Sequence, residues 1–113
     1  MPHARTARSL LSGEIEREFV NRYLEKIRQL VELYRSGELP SEKSLRKMLS
    51  DLARLCGECW AVYGYLARNR DYLNAYRTKF RLVAYIAYAI AIVDFLEALE
   101  EVRRRRAQIF ILL

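Results

Sequence analysis

The sequence predicts an all-α protein, an antiparallel bundle of three long helices, and three observations predict it. Apolar residues recur at spacings of three and four through most of its 113 positions. Four Gly and two Pro leave too few turn-formers for a many-stranded β fold. Two punctuated breaks, at residues 37–40 and 68–71, cut the pattern into three. A composition of 52% hydrophobic and 30% charged residues excludes a disordered tail. The length suits one helical domain over residues 1–113, with enough chain to bury a core.

Residues 1–11 are small, basic and aperiodic, so they read as a frayed lead-in. The first helix is expected over 13–36. Ser12 is its N-cap candidate, and Glu14, Glu16 and Glu18 suit its positive end. Ile15, Phe19, Val20, Tyr23, Leu24, Ile27, Leu30, Val31 and Tyr34 form its apolar stripe. Gly37 ends it, and Leu39 and Pro40 form the link. Ser41 opens a second helix, 42–68, with a stripe through Leu45, Leu49, Leu52, Cys56, Cys59, Trp60 and Tyr63. Asp71 caps a third, expected over 71–106, whose middle is apolar nearly all round and therefore central. Asp94 marks a kink or short loop there. Trp60, Leu52, Ile27, Val31, Ile86 and Ile90 are the expected core. Residues 107–113 form an apolar tail, read as a short or truncated C-terminal helix. Its Ile109, Phe110, Ile111 and Leu113 are expected to be buried in the bundle or against a neighbouring copy.

Several classes of chemistry find no residues to perform them. His3, the sole histidine, stands in the lead-in, so no Ser-His or Cys-His arrangement sits on a rigid element. Cys56 and Cys59 have redox-motif spacing but fall inside a helical stripe with no strand before them, where thiols pack as small hydrophobes. No second pair completes a zinc site, and no Gly-rich phosphate loop is present. The expectation is no catalytic residue, no metal and no cofactor. The longest uninterrupted apolar run, residues 82–93, is twelve residues, short of a bilayer span. A cytoplasmic protein with no membrane partner is expected.

What remains is basic and aromatic. The chain has 20 Lys and Arg against 14 Asp and Glu, a net charge of +6, and 16 of the cations are Arg, whose planar fork grips phosphate. Residues 68–81, RNRDYLNAYRTKFR, hold Arg68, Arg70, Arg77, Lys79 and Arg81 against Asp71 alone, with Tyr72 and Tyr76 one turn apart. Arginine forks for phosphates and aromatic rings for bases are the composition of a single-strand-binding face. The same residues also fit a plain solvated helix, with the Tyr rings in the core. A second cluster, the four arginines at 103–106, points all round its helix.

The stretch LPSEKSLRKMLSDLARL, residues 39–55, resembles the helix start of the small all-helical subunit of type III-A (Csm-type) CRISPR effector complexes. Leu39, Ser41, Ser44, Leu45, Arg46 and Lys47 stand at its motif positions. About thirty residues on, TKFRLVAYIAYAIAIVDFLEAL is similar to that family's Lys-x-x-hydrophobic-Ala-Tyr helix, through Lys79, Leu82, Ala84 and Tyr85. The family's Gly-Arg after Ala-Tyr is absent, with Ala87 and Tyr88 in that region. The two blocks cover about half the chain. The resemblance implies a non-catalytic structural subunit that stacks with other subunits and with copies of itself. It would bind single-stranded target RNA or the guide–target duplex backbone. It carries over Arg46 and Lys47 as RNA-binding positions; Arg68, Arg70, Tyr72, Tyr76, Arg77, Lys79 and Arg81 come from the charge and aromatic pattern. The other expected classes are a virion or nucleoid protein coating duplex DNA, and a helical protein–protein adaptor.

Overall fold

A computed structural model describes the backbone of residues 2–112 and the side chains of residues 13–109 and 111. It contains three helices, α1 (Pro2–Ser36), α2 (Glu42–Arg68) and α3 (Tyr72–Leu112), and no strand among the described residues. The predicted all-α, three-helix fold is therefore the observed one.

Both links follow from local chemistry. At the end of α1, Gly37 takes φ 76°. Its N–H donates to the Tyr34 carbonyl and the Glu38 N–H to the Leu33 carbonyl, which satisfies the last orphan carbonyls of the helix. Ser41 then caps α2, its hydroxyl oxygen accepting from the Ser44 N–H at 3.1 Å. The α2–α3 link repeats the first device with no glycine. Arg70 sits at φ 60°, donating to Ala67, and the Asp71 N–H reaches back to Leu66.

The helices run up, down and up. Glu14 meets Tyr76, Tyr23 meets Asp94 and Tyr34 meets Phe95, so α1 and α3 are parallel. Glu42, at the start of α2, meets Arg103, late in α3, so α2 runs the other way. Both α1 and α2 lie along α3, and among the described residues their backbones do not run against each other. The result is an elongated layer, 66 × 30 × 22 Å, with α3 in the middle. All three helices share one tight cluster beside the α1–α2 link: Leu30, Leu45, Ile92 and Phe95, flanked by Leu39, Leu49, Leu52, Ile27 and Val31.

This open arrangement corrects several expectations. Trp60 is 65% exposed, and Ile86 and Ile90 are on the exposed side of α3, because no helix covers that side. Leu52, Ile27 and Val31 are half-buried against the cluster. Residues 2–11 are helical, not a loose lead-in, so Ser12 lies within α1 and does not cap it. That segment has no glycine, and its only proline is at the first helical position, where proline is tolerated. Asp94 opens no loop: α3 runs on as helix through it, and its exposed carboxylate accepts the Tyr23 hydroxyl at 2.6 Å. The tail continues α3 as helix to Leu112, with Ile109 and Ile111 exposed; the Phe110 and Leu113 side chains lie outside the described residues. Cys59 is buried and Cys56 half-buried, both as free thiols, in keeping with packing. Finally, α3 is long and apolar enough to cross a bilayer by length and composition, since its apolar character continues past Asp94. Its most apolar stretch has a mean hydropathy of 2.0, and only 22% of it is buried.

Candidate nucleic-acid interface

The α2–α3 end gathers five cations with no carboxylate to hold them. Arg68, Arg70, Arg77, Lys79 and Arg81 are all exposed, and none forms an ion pair among the described residues. Asp71, the acid in their midst, is committed elsewhere. It caps α3, accepting from the Asn74 N–H at 3.4 Å and the Asn74 side-chain amide at 2.9 Å. Several arginines elsewhere are paired, Arg22 with Glu18 at 2.7 Å and Glu25 at 3.1 Å and Arg54 with Glu58 at 3.2 Å, whereas Arg17, Arg28 and Arg106 form no ion pair among the described residues. The Glu18 carboxylate raises the Arg22 pKa further above its ordinary value, chiefly through their hydrogen bond. Arg70 adds backbone strain at the tip. A left-handed non-glycine residue costs about 1–2 kcal/mol, and such strain concentrates at functional sites.

Helix geometry divides the cluster. Arg77 and Arg81 are four apart and share a face, whereas Lys79, two residues from each, is about 200° round the helix and faces the other way. The Arg77 and Arg81 stripe continues, seven residues after Arg81, to Tyr88. The Lys26 ammonium of α1 sits 5.9 Å over the Tyr88 ring. Arg77, Arg81, Tyr88 and Lys26 thus form one strip of cations and an aromatic ring along the α1 side of α3. Sequence reasoning missed Tyr88 and Lys26. The spacing from Arg81 marks Tyr88, but nothing local marks Lys26, which arrives from another helix.

The tyrosine pair divides too. Tyr72 is 66% exposed. The Tyr76 hydroxyl donates to the Glu14 carboxylate, and its ring packs edge-on against Phe80 at 4.9 Å. That hydrogen bond raises the Tyr76 pKa. Tyr76 therefore ties α1 to α3, and only Tyr72 of the pair offers a free ring face. Trp60, expected in the core but exposed and stacked on Tyr63 at 5.9 Å, and Tyr65, which the sequence pattern did not single out, are further exposed aromatics on α2.

Arg46 and Lys47 stand apart from this end. They lie some twenty residues before Arg68 on α2, roughly 30 Å away. Arg46 is paired with Glu42 at 2.9 Å, and Arg103 approaches the same carboxylate at 3.4 Å. Hydrogen bonds from Arg46 and Arg103 hold the Glu42 carboxyl below its usual range. Lys47 is exposed and unpaired among the described residues. Glu101 takes Arg104 at 3.4 Å and Arg105 at 3.2 Å, so most of the 103–106 cluster is neutralised.

No group of three His, Cys, Asp or Glu side chains that could hold a metal occurs among the described residues; the His3 side chain lies outside them. No protein-family model, no curated protein and no solved structure matches this chain.

Proposed function

We propose that this chain is a non-catalytic structural subunit of an RNA-guided effector complex of the type III-A kind, which holds single-stranded RNA on its basic α2–α3 end. The observation that carries the reading is the set of unpaired arginines Arg68, Arg70, Arg77 and Arg81 at the α2–α3 end. A folded protein gains little from leaving so many exposed cations together without carboxylates, whereas a phosphate backbone neutralises them and releases its own counterions. The strip of Arg77, Arg81, Tyr88 and Lys26, with Arg70 at its end, addresses phosphates and base faces rather than base edges; Tyr72, seven residues before Lys79, is on the opposite face of α3. Binding without sequence preference follows, base pairing elsewhere in the complex reading the sequence. The resemblance of residues 39–55 and 78–99 to the Csm-type small subunit supplies the effector-complex context, and Lys47 is the carried-over position left free for a phosphate.

Titration of single-stranded RNA against salt tests this. Three to five phosphate contacts give a log–log slope of about −2 to −3.5, at roughly −0.7 per contact. Arg77→Glu with Arg81→Glu should flatten the slope and weaken binding alike for every sequence. Arg17→Glu with Arg28→Glu, on exposed positions of α1, should do much less. Both double variants lower the net charge from +6 to +2, so equal losses would mean a long-range charge effect and would remove the site. Tighter binding to duplex DNA would move the reading to a DNA-coating protein. A salt-independent protein complex with no RNA affinity would move it to an adaptor.

A further inference from the structure

The side of α3 that neither α1 nor α2 covers has a regular seam. Lys79, Val83, Ile86, Ile90, Val93 and Glu97 follow one another at spacings of 4, 3, 4, 3 and 4, the heptad rhythm of a helix–helix contact. Ile86, Ile90 and Val93 are 38%, 39% and 40% exposed. Beside them, α1 leaves an apolar hollow of about 440 Å³ against Val83 and Ile86, lined also by Ile15, Phe19 and Val20. Neither Lys79 nor Glu97 has an ion-pair partner among the described residues.

We infer that a second copy of this chain docks here, α3 against α3, antiparallel about a two-fold axis at residue 88. In that register every layer is matched. Lys79 meets Glu97 of the partner subunit, Val83 meets Val93, Ile86 meets Ile90, and the order then repeats in reverse. The contact is self-complementary, as a closed two-fold dimer requires. Other arrangements mismatch. A parallel pair sets Lys79 on Lys79 and Glu97 on Glu97. The antiparallel register one heptad later sets Ile86 on Glu97 and Lys79 on Arg104. The end charges therefore choose orientation and register, as such charges do at helical interfaces.

A bilayer fits this side less well. The apolar positions from Val83 to Val93 span about 15 Å along the helix. That is half the hydrocarbon thickness of roughly 30 Å, and a bilayer offers no cation for Glu97. The inference rests on the fold and not on RNA binding. Lys79 then belongs to the seam, on the face opposite Arg77 and Arg81, and the two readings fail independently.

Sedimentation equilibrium of the full chain over a wide concentration range, without RNA, is the test. A monomer–dimer equilibrium is expected. Lys79→Glu and Glu97→Lys each disturb both symmetric bridges and should weaken the dimer about tenfold or more. The double variant restores them in reverse and should return to within about threefold of the original affinity. Ile90→Glu should give a monomer of unchanged helicity; the charge-reversal set decides the matter if that variant fails to fold. A monomer at every concentration, single reversals without effect, or no recovery in the double variant would overturn the inference. So would co-sedimentation with phosphatidylcholine vesicles in place of dimerisation.

Discussion

Leu45→Ala and Leu73→Ala remove the same three carbons from two very different places, and the structure sets how far their effects differ. Leu45 is 1% exposed and packs with Leu30 and Ile92, each also 1% exposed, where all three helices meet. At about 0.8 kcal/mol per buried methylene, the lost transfer energy alone is about 2 kcal/mol. The neighbours come from three different helices and are held by each other, so the hole does not close and a cavity term adds to this. The expected cost is about 3–4 kcal/mol. Leu73 is 62% exposed at the start of α3. Its truncation leaves no cavity and introduces a better helix former, so the cost should stay below about 1 kcal/mol. Urea unfolding followed by circular dichroism measures both, at a fixed protein concentration because self-association adds to apparent stability. For a chain this size, each kcal/mol moves the melting temperature by roughly 4 °C, so heating should separate the variants by about 10 °C. Costs within about 1 kcal/mol of each other would refute the claim that the residue 30–45–92–95 cluster is the mechanical centre of the fold.

Three further outcomes follow. Trp60 is the sole tryptophan, so its fluorescence in the monomer should resemble solvated indole and be quenched by iodide; a blue-shifted, protected signal would return it to the core. Burial, with the neighbouring Cys59 thiol, pushes the Cys56 thiol up. The fraction of thiolate at pH 8 is then below that of an ordinary cysteine, and iodoacetamide labelling should keep accelerating at pH values where a free thiol has levelled off. Arg70→Gly should raise stability by about 0.5–1 kcal/mol by relieving the left-handed backbone, whereas Arg68→Gly, in the last turn of α2, should lower it.

The fold was legible wherever local chemistry decides. Gly37, Ser41 and the Asp71 cap mark the ends of the helices, and α2 begins and ends where the spacing placed it. What was not legible is which side of each apolar stripe would be covered. Trp60 lies on the stripe of α2, but its burial depends on a neighbour, and α1 contacts α3 instead. Periodicity reports a face, not a partner. The interface shows the same limit. The charge run at 68–81 is visible in the sequence, yet it hides that Lys79 opposes Arg77 and Arg81, that Tyr76 is tied to Glu14, and that Lys26 joins Tyr88. Asp94 misled as a helix break because its hydrogen bond to Tyr23 spans more than seventy residues.

Because α1 and α2 lean on α3 and meet each other only at the Leu30–Leu45 cluster, the molecule has a hierarchy of local unfolding. The α2–α3 hairpin is joined by a short link and keeps its own contacts when α1 lifts away. The α1 segment gives up its apolar contacts with α3, its polar ties from Glu14 to Tyr76 and Tyr23 to Asp94, and its share of the cluster at Leu30. Amide hydrogens should therefore exchange in two tiers. The α1 amides open at a lower free energy than those in the middle of α3, which exchange only with the whole.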